Sequence, residues 1–137
     1  MTNDLITCPI ENTYKLLNRK WIIVILRDLF LGKKRFLEFK YAHSGLSNNV
    51  LSDTLKNMEN NLLVEKKVSG QSTEYYLTER GLRLNRILFE MALFGLDELE
   101  CGDDSDLEVI NMFKDYYAQI FKVNGKDESC SIEQEKQ

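Results

Sequence analysis

Asn49, Ser52, Asp53, Lys56 and Asn60 fall at i, i+3, i+4, i+7 and i+11, the spacing of one helix face. Their side chains are amides, a hydroxyl, a carboxylate and one ammonium, all able to hydrogen-bond and carrying little net charge. Such a face can enter a major groove, where asparagine pairs bidentately with adenine and a carboxylate accepts from the cytosine amino group. Asn49 and Ser52 are therefore expected at base edges, and Asp53 either on a cytosine or in solvent. Leu51, Leu55, Met58 and Leu62 take the opposite stripe, which should be buried. A solvated surface helix also has a polar face, so the wheel alone does not choose between DNA and water.

The flanking elements are what favour DNA. Val64 to Val68 and Thr73 to Leu77 read as strands around the turn cluster Ser69-Gly70-Gln71-Ser72. Ahead of the helix, the basic turn Gly32-Lys33-Lys34-Arg35 leads into a short helical pattern from Phe36 to Ala42. A supporting helix, a reader helix and a hairpin in that order make a winged helix-turn-helix. Lys20, Lys34, Arg35, Asn48 and Lys56 are the expected phosphate contacts, which set register without reading sequence. Ser47 at the helix start, Lys67 on the strand and Gln71 at the hairpin tip complete the expected DNA-facing set.

The remaining helices frame this core. Pro9 suits a first helical position, so Cys8 is the expected cap of a helix from Ile10 to Leu17. The run from Lys20 to Leu31 is apolar on most faces and should be the central buried helix. Arg19 and Lys20 have the wrong sign for a helix N-terminus, which an anionic neighbour or a solvated turn would explain. Thr78 should cap a long helix from Glu79 to about Glu100 that is apolar on two sides. Ser105 and Glu108 form a capping box for a last helix carrying Leu107, Ile110, Phe113, Tyr117, Ile120 and Phe121. So much apolar surface is most simply covered by a second copy of the chain.

The expected class is thus mainly α with a small β-hairpin wing (α+β), a winged helix-turn-helix with N- and C-terminal dimerisation helices. Its parts are a DNA-binding domain over residues 8–95, a dimerisation region over 96–124 and a tail without fixed structure over 125–137. The tail expectation rests on polar, charged composition.

Composition sets bounds on function. The chain has 137 residues, 43% hydrophobic and 29% charged, which suits one domain with an appendage. Net charge is −4, an apparent argument against nucleic acid. Its distribution answers that argument: residues 1–95 hold 14 Lys and Arg against 10 acids, and residues 96–137 hold 4 against 12. A phosphate backbone senses the nearby field of the basic body more than the total. The start, Met1-Thr2-Asn3-Asp4, is not a signal peptide, and the longest apolar run, Trp21 to Leu26, is too short to span a membrane. A cytoplasmic protein is expected. Cys8, Cys101 and Cys130 are scattered and His43 is the only histidine, which fits neither a disulfide framework nor a metal site. No catalytic triad, paired-carboxylate or phosphate-loop spacing stands out, so neither enzyme chemistry nor a cofactor is expected.

Cys8-Pro9, Lys20-Trp21, Ile25-Leu26, Gly32, Arg35-Phe36, Leu46-Ser47, Leu51-Ser52, Leu55, Leu62 to Val64, Glu74-Tyr75, Leu77-Thr78 and Gly81 together resemble the HxlR-type regulators. These are prokaryotic winged helix-turn-helix transcription factors related in shape to MarR proteins. The likeness covers about residues 8 to 95. It implies a homodimer, joined through the first and last helices, on a pseudo-palindromic operator of double-stranded DNA. It also implies the reader helix in the major groove and the wing near the minor groove.

Several members sense oxidants or electrophiles through a cysteine at the position of Cys8, and some link it to a C-terminal cysteine of the other subunit. Cys101 is the tentative second redox residue here, although Cys101 and Cys130 lie beyond the matching stretch. Pairing with Cys101, with Cys130 or with neither stays open.

The chain departs from the family in four places. Arg19-Lys20-Trp21 stands for Gly-Lys-Trp, and Phe94-Gly95 for Trp-Gly. Thr54 replaces a mid-helix arginine and with it an expected phosphate or base contact. The wing lacks the family's proline and arginine, leaving Lys66, Lys67 and Gln71. Two other readings remain open at this stage: a winged-helix module that binds protein and not DNA, and a small-molecule-responsive regulator.

Overall fold

The structure, a computed structural model, describes residues 8–99 and 107–123. The elements run α1 (Pro9–Leu17), α2 (Ile22–Phe30), α3 (Phe36–Ala42), α4 (Asn48–Asn60), β1 (Val64–Ser69), β2 (Ser72–Leu77), α5 (Glu79–Leu82), α6 (Asn85–Glu98) and α7 (Leu107–Ile120). They divide into two compact units, the first ending at Leu82 and the second beginning at Arg83. The expected tail, Cys101, Cys130 and Ser105 of the capping box lie outside the described residues.

In the first unit α2 is the central helix, burying Ile22, Ile25, Leu26 and Leu29. Phe39 of α3, Leu51, Leu55 and Met58 of α4, and Leu46, Leu63 and Val64 complete the core. The helix α2 ends in a Schellman motif: Lys33 N–H donates to the Asp28 carbonyl and Gly32 N–H to that of Leu29. Gly32 takes the left-handed conformation there, at φ 99°.

The same motif ends α4, and it overturns one expectation. Leu63 N–H donates to the Met58 carbonyl and Leu62 N–H to that of Glu59, with Leu62 at φ 61°. Leu62 is therefore exposed and does not continue the buried stripe; Leu63, one residue on, goes into the core beside Met58. A helical wheel extended past the helix end cannot foresee that reversal.

β1 and β2 pair antiparallel from Val64↔Leu77 to Ser69↔Ser72, closed by Gly70-Gln71. Gly70 has φ 62°, at the first central position where a two-residue II′ hairpin takes glycine. The hairpin root is tied to the end of α4 through Thr78. Its N–H donates to the Leu63 carbonyl, its hydroxyl to that of Leu62, and that hydroxyl oxygen accepts from Gly81 N–H, capping α5.

The helix expected from Glu79 to Glu100 is in fact two segments, α5 and α6, separated at Arg83-Leu84. Neither residue is a helix breaker, so nothing in the sequence marks the interruption. In the second unit α7 lies along α6. The Asn85 side chain donates to the Phe121 carbonyl at 2.6 Å, and Lys114 pairs with Asp97 at 2.7 Å. Phe121 is buried and stacks on Tyr117.

Candidate nucleic-acid interface

α4 is positioned by its ends and its buried side. Ser47 is the N-cap, its hydroxyl oxygen accepting from Val50 N–H at 3.2 Å. That use leaves the hydroxyl hydrogen available to an acceptor. With Leu51, Leu55 and Met58 turned inward, Asn48, Asn49, Ser52, Asp53, Lys56 and Asn60 are all exposed. Thr54 is another matter. It is 4% exposed and its hydroxyl donates to the Val50 carbonyl, so this position faces the interior. The threonine that stands for the family's arginine is thus used within α4 itself.

The cations gather in two places. At the start of α2, Lys20 is exposed with its ammonium 5.4 Å from the Trp21 ring centroid. Beside it the Arg19 guanidinium donates to the Asp53 backbone carbonyl at 3.5 Å, so its neighbour is α4. Arg19 thus braces α4 against α2.

The second group surrounds the wing. Lys34 N–H and Arg35 N–H both donate to one Glu38 carboxylate oxygen, at 3.0 and 2.9 Å, which ties down the start of α3. Those two backbone donations, more than the cationic side chains, hold the Glu38 carboxyl below the usual glutamate range. The Lys34 carbonyl accepts from Tyr75 N–H at 2.7 Å, joining the basic turn to β2. The other carboxylate is Glu74, 3.3 Å from the Arg35 guanidinium and 3.6 Å from the Lys34 ammonium. Tyr76 hydroxyl donates to Glu74 at 2.6 Å, the main cause of its lowered pKa, with Lys34 and Arg35 adding to it. Lys67 lies opposite Glu74 in the hairpin register, its ammonium 4.9 Å from the Tyr76 ring centroid. Gln71 and Lys66 are exposed on the wing.

The fold therefore brings Lys34, Arg35 and Lys67 together, and aligns Asn49, Ser52, Asp53 and Lys56 on one helix face. Reading along the chain missed Arg19, Glu38, Glu74 and Tyr76 as parts of the site. The pairing of Lys67 with Glu74 follows from counting outward from Gly70-Gln71, a signal that was present. The proximity of Lys34 and Arg35 to Glu74 spans 40 and 39 positions and has no local signature. Cys8, the N-cap of α1, is exposed. Among the described residues no group of His, Cys, Asp and Glu could hold a metal, and no helix is long and apolar enough to cross a membrane.

The fold and this exposed polar helix define a winged helix-turn-helix protein, a class built to hold one helix against DNA. Comparison with known proteins narrows the class. Residues 16–102 match the model of the HxlR-like helix-turn-helix family, and the chain belongs to that family of transcriptional regulators, which are not enzymes. It is 34% identical over 96 residues to the HTH-type transcriptional regulator sll1512 of Synechocystis, covering 68% of this chain and 71% of that one. It is 33% identical over 100 residues to the HTH-type transcriptional regulator YodB of Bacillus subtilis, covering 70% and 89%.

Solved structures agree. The reduced form of YodB superposes with a TM-score of 0.61 at 32% identity, covering 72% of this chain and 100% of that one. The redox regulator HypR in its reduced form gives 0.62 at 31% identity, covering 64% and 90%. YodB has also been solved bound to quinone.

Proposed function

We propose that the chain is a homodimeric, sequence-specific DNA-binding regulator whose reader helix is α4. The observation that carries this reading is the exposed row Asn49, Ser52, Asp53 and Lys56 opposite the buried Leu51, Leu55 and Met58. Asn49 and Ser52 take base edges, and Asp53 a cytosine amino group. Lys20, Lys34, Arg35, Ser47, Asn48 and Lys56 take phosphates, while Lys67 and Gln71 act from the wing.

Support for a dimer comes from apolar surface. α1 buries no residue, and Ile10 and Tyr14 stand out from it. In the second unit, Ile87, Met91, Phe94 and Leu99 line an open concavity on and after α6, and α7 exposes Leu107, Met112 and Phe113. Within each unit, exposed apolar surface of this kind supports an association site. A two-fold dimer would read a pseudo-palindromic operator.

Redox control is the third element. YodB has been solved reduced and quinone-bound, and HypR is a redox regulator; in this chain Cys8 is exposed and free. Cys8 is the proposed oxidant- or electrophile-responsive residue, and whether it pairs with Cys101, with Cys130 or with neither stays open. Diamide tests it: two thiols give up two protons and two electrons to the diazene and become a disulfide. Loss of DNA binding in the parent and not in Cys8→Ser is expected; identical responses would reject the role.

DNA reading is tested by selecting an operator from random duplexes and comparing two variants on it. Asn49→Ala should cost roughly 1–3 kcal/mol and relax preference at one operator position. Arg35→Ala should weaken binding to all sequences alike and flatten the salt slope by about one ion. If neither affinity, preference nor slope moves in either variant, α4 is not the reader and a protein-binding module is the better description.

A further inference from the structure

Glu74 stands in an unusual place for an acid on a DNA-binding surface. Its carboxylate lies within 3.3 Å of the Arg35 guanidinium and 3.6 Å of the Lys34 ammonium, two groups assigned above to phosphate. Tyr76 hydroxyl fixes the other carboxylate oxygen at 2.6 Å, so the acid is oriented and not merely nearby. The three charged side chains are partly open to solvent, at 44% for Lys34, 57% for Arg35 and 23% for Glu74. An ion pair that exposed contributes little to stability. Its larger effect is on any anion that approaches the same cations. The second acid nearby, Glu38, gives one carboxylate oxygen to the backbone N–H groups of Lys34 and Arg35, and its charge acts on their side chains only secondarily. Glu74 is thus the acid that meets their side chains.

We propose that Glu74 is an internal counter-charge that sets how tightly the protein holds DNA, by occupying the Lys34 and Arg35 side chains that a phosphate must recruit. The inference rests on the DNA-binding reading and deepens it. In the DNA-free protein the carboxylate takes the place of a phosphate oxygen on both cations. Binding then exchanges one anion for another at this point, and the gain per contact is smaller than for cations surrounded only by mobile counterions. Sequence preference, which is read on α4, is untouched.

Glu74→Gln keeps the shape and a hydrogen-bond acceptor for Tyr76 and removes the charge. In the full-length protein, dissociation constants on the selected operator and on a scrambled duplex should both fall, by the same factor. The slope of log affinity against log salt should steepen by about one ion. Circular dichroism and thermal melting check the fold, and Glu74→Ser, also neutral and shorter, serves if glutamine packs badly. In a Lys34→Gln/Arg35→Gln background the same substitution should change nothing. A loss of affinity with unchanged slope in the folded variant would make Glu74 an organiser of the wing and overturn the proposal. An equal gain in the doubly substituted background would overturn it too, since the effect would then belong to net charge. A parent that binds neither duplex would remove the DNA-binding reading itself, whatever Glu74 does.

Discussion

His43 Nε2 lies 2.6 Å from the Asp28 carboxylate, joining the end of α3 to the interior of α2. Asp28 is 1% exposed, and a carboxylate only accepts, so the imidazole N–H donates. Arg27 holds the second carboxylate oxygen at 3.2 Å, and the His43 ring centroid sits 5.5 Å from that of Trp21. The chain's single histidine therefore anchors the turn before α4. Among the described residues, His43→Ala would leave Arg27 as the remaining side-chain partner of the buried Asp28. Leaving a buried hydrogen-bonding group without one of its partners costs about 1–3 kcal/mol. Chemical denaturation should show that loss with the slope unchanged.

Leu62 gives the opposite sign. Its side chain is 64% exposed while its backbone sits at φ 61°, a conformation that costs a leucine roughly 1–2 kcal/mol. Leu62→Gly removes that strain and little packing, although glycine adds freedom to the unfolded chain. A net stabilisation of about 0.5–1 kcal/mol is expected, read as a higher thermal midpoint.

Gly81 tolerates no such change. A Cβ there would lie 2.2 Å from the Leu63 carbonyl oxygen, which is backbone and cannot swing aside. Gly81→Ala should destabilise by about 1–3 kcal/mol, as overpacking does. It should also weaken the tie through Thr78, visible as faster amide exchange at Thr78 and Gly81.

Glu38 makes a prediction in pH. Its folded pKa is lowered, first by the two backbone N–H donors, so its ionised form stabilises the fold above the ordinary glutamate range. That contribution is lost as pH falls through the lowered value. Glu38→Gln, which can still accept a hydrogen bond, should melt below the parent at neutral pH. The difference should shrink to nothing under acid conditions that protonate Glu38. A gap that stays constant with pH would point to shape and not charge.

Local patterns carried most of this architecture. The stripe Leu51, Leu55, Met58 and the alternation of the hairpin are periodic, and burial follows periodicity directly. The misreadings occur where backbone geometry or distant contacts decide. Leu62 turned outward because a Schellman motif reverses the chain. Thr54 turned inward because it lies next to Leu55 on the buried side and satisfies its hydroxyl on Val50. Asn49, Ser52 and Lys56 were readable as an exposed face from spacing alone. The partnership of Glu74 with Lys34 and Arg35 was not, because it depends on how the hairpin packs against the turn before α3.

Because Thr78, after β2, is fastened to Leu62 and Leu63, which lead from α4 into β1, the wing is a cantilever with a fixed base. Its outer half, from Val68 through Gly70 to Thr73, can change length without moving α4. Residues added two to each strand keep every side chain on its own face, whereas one per strand would invert the faces beyond it. Natural or engineered variation in wing reach should therefore come in steps of two per strand. The reach of the tip can be retuned in this way while the exposed polar row on α4 stays where it is.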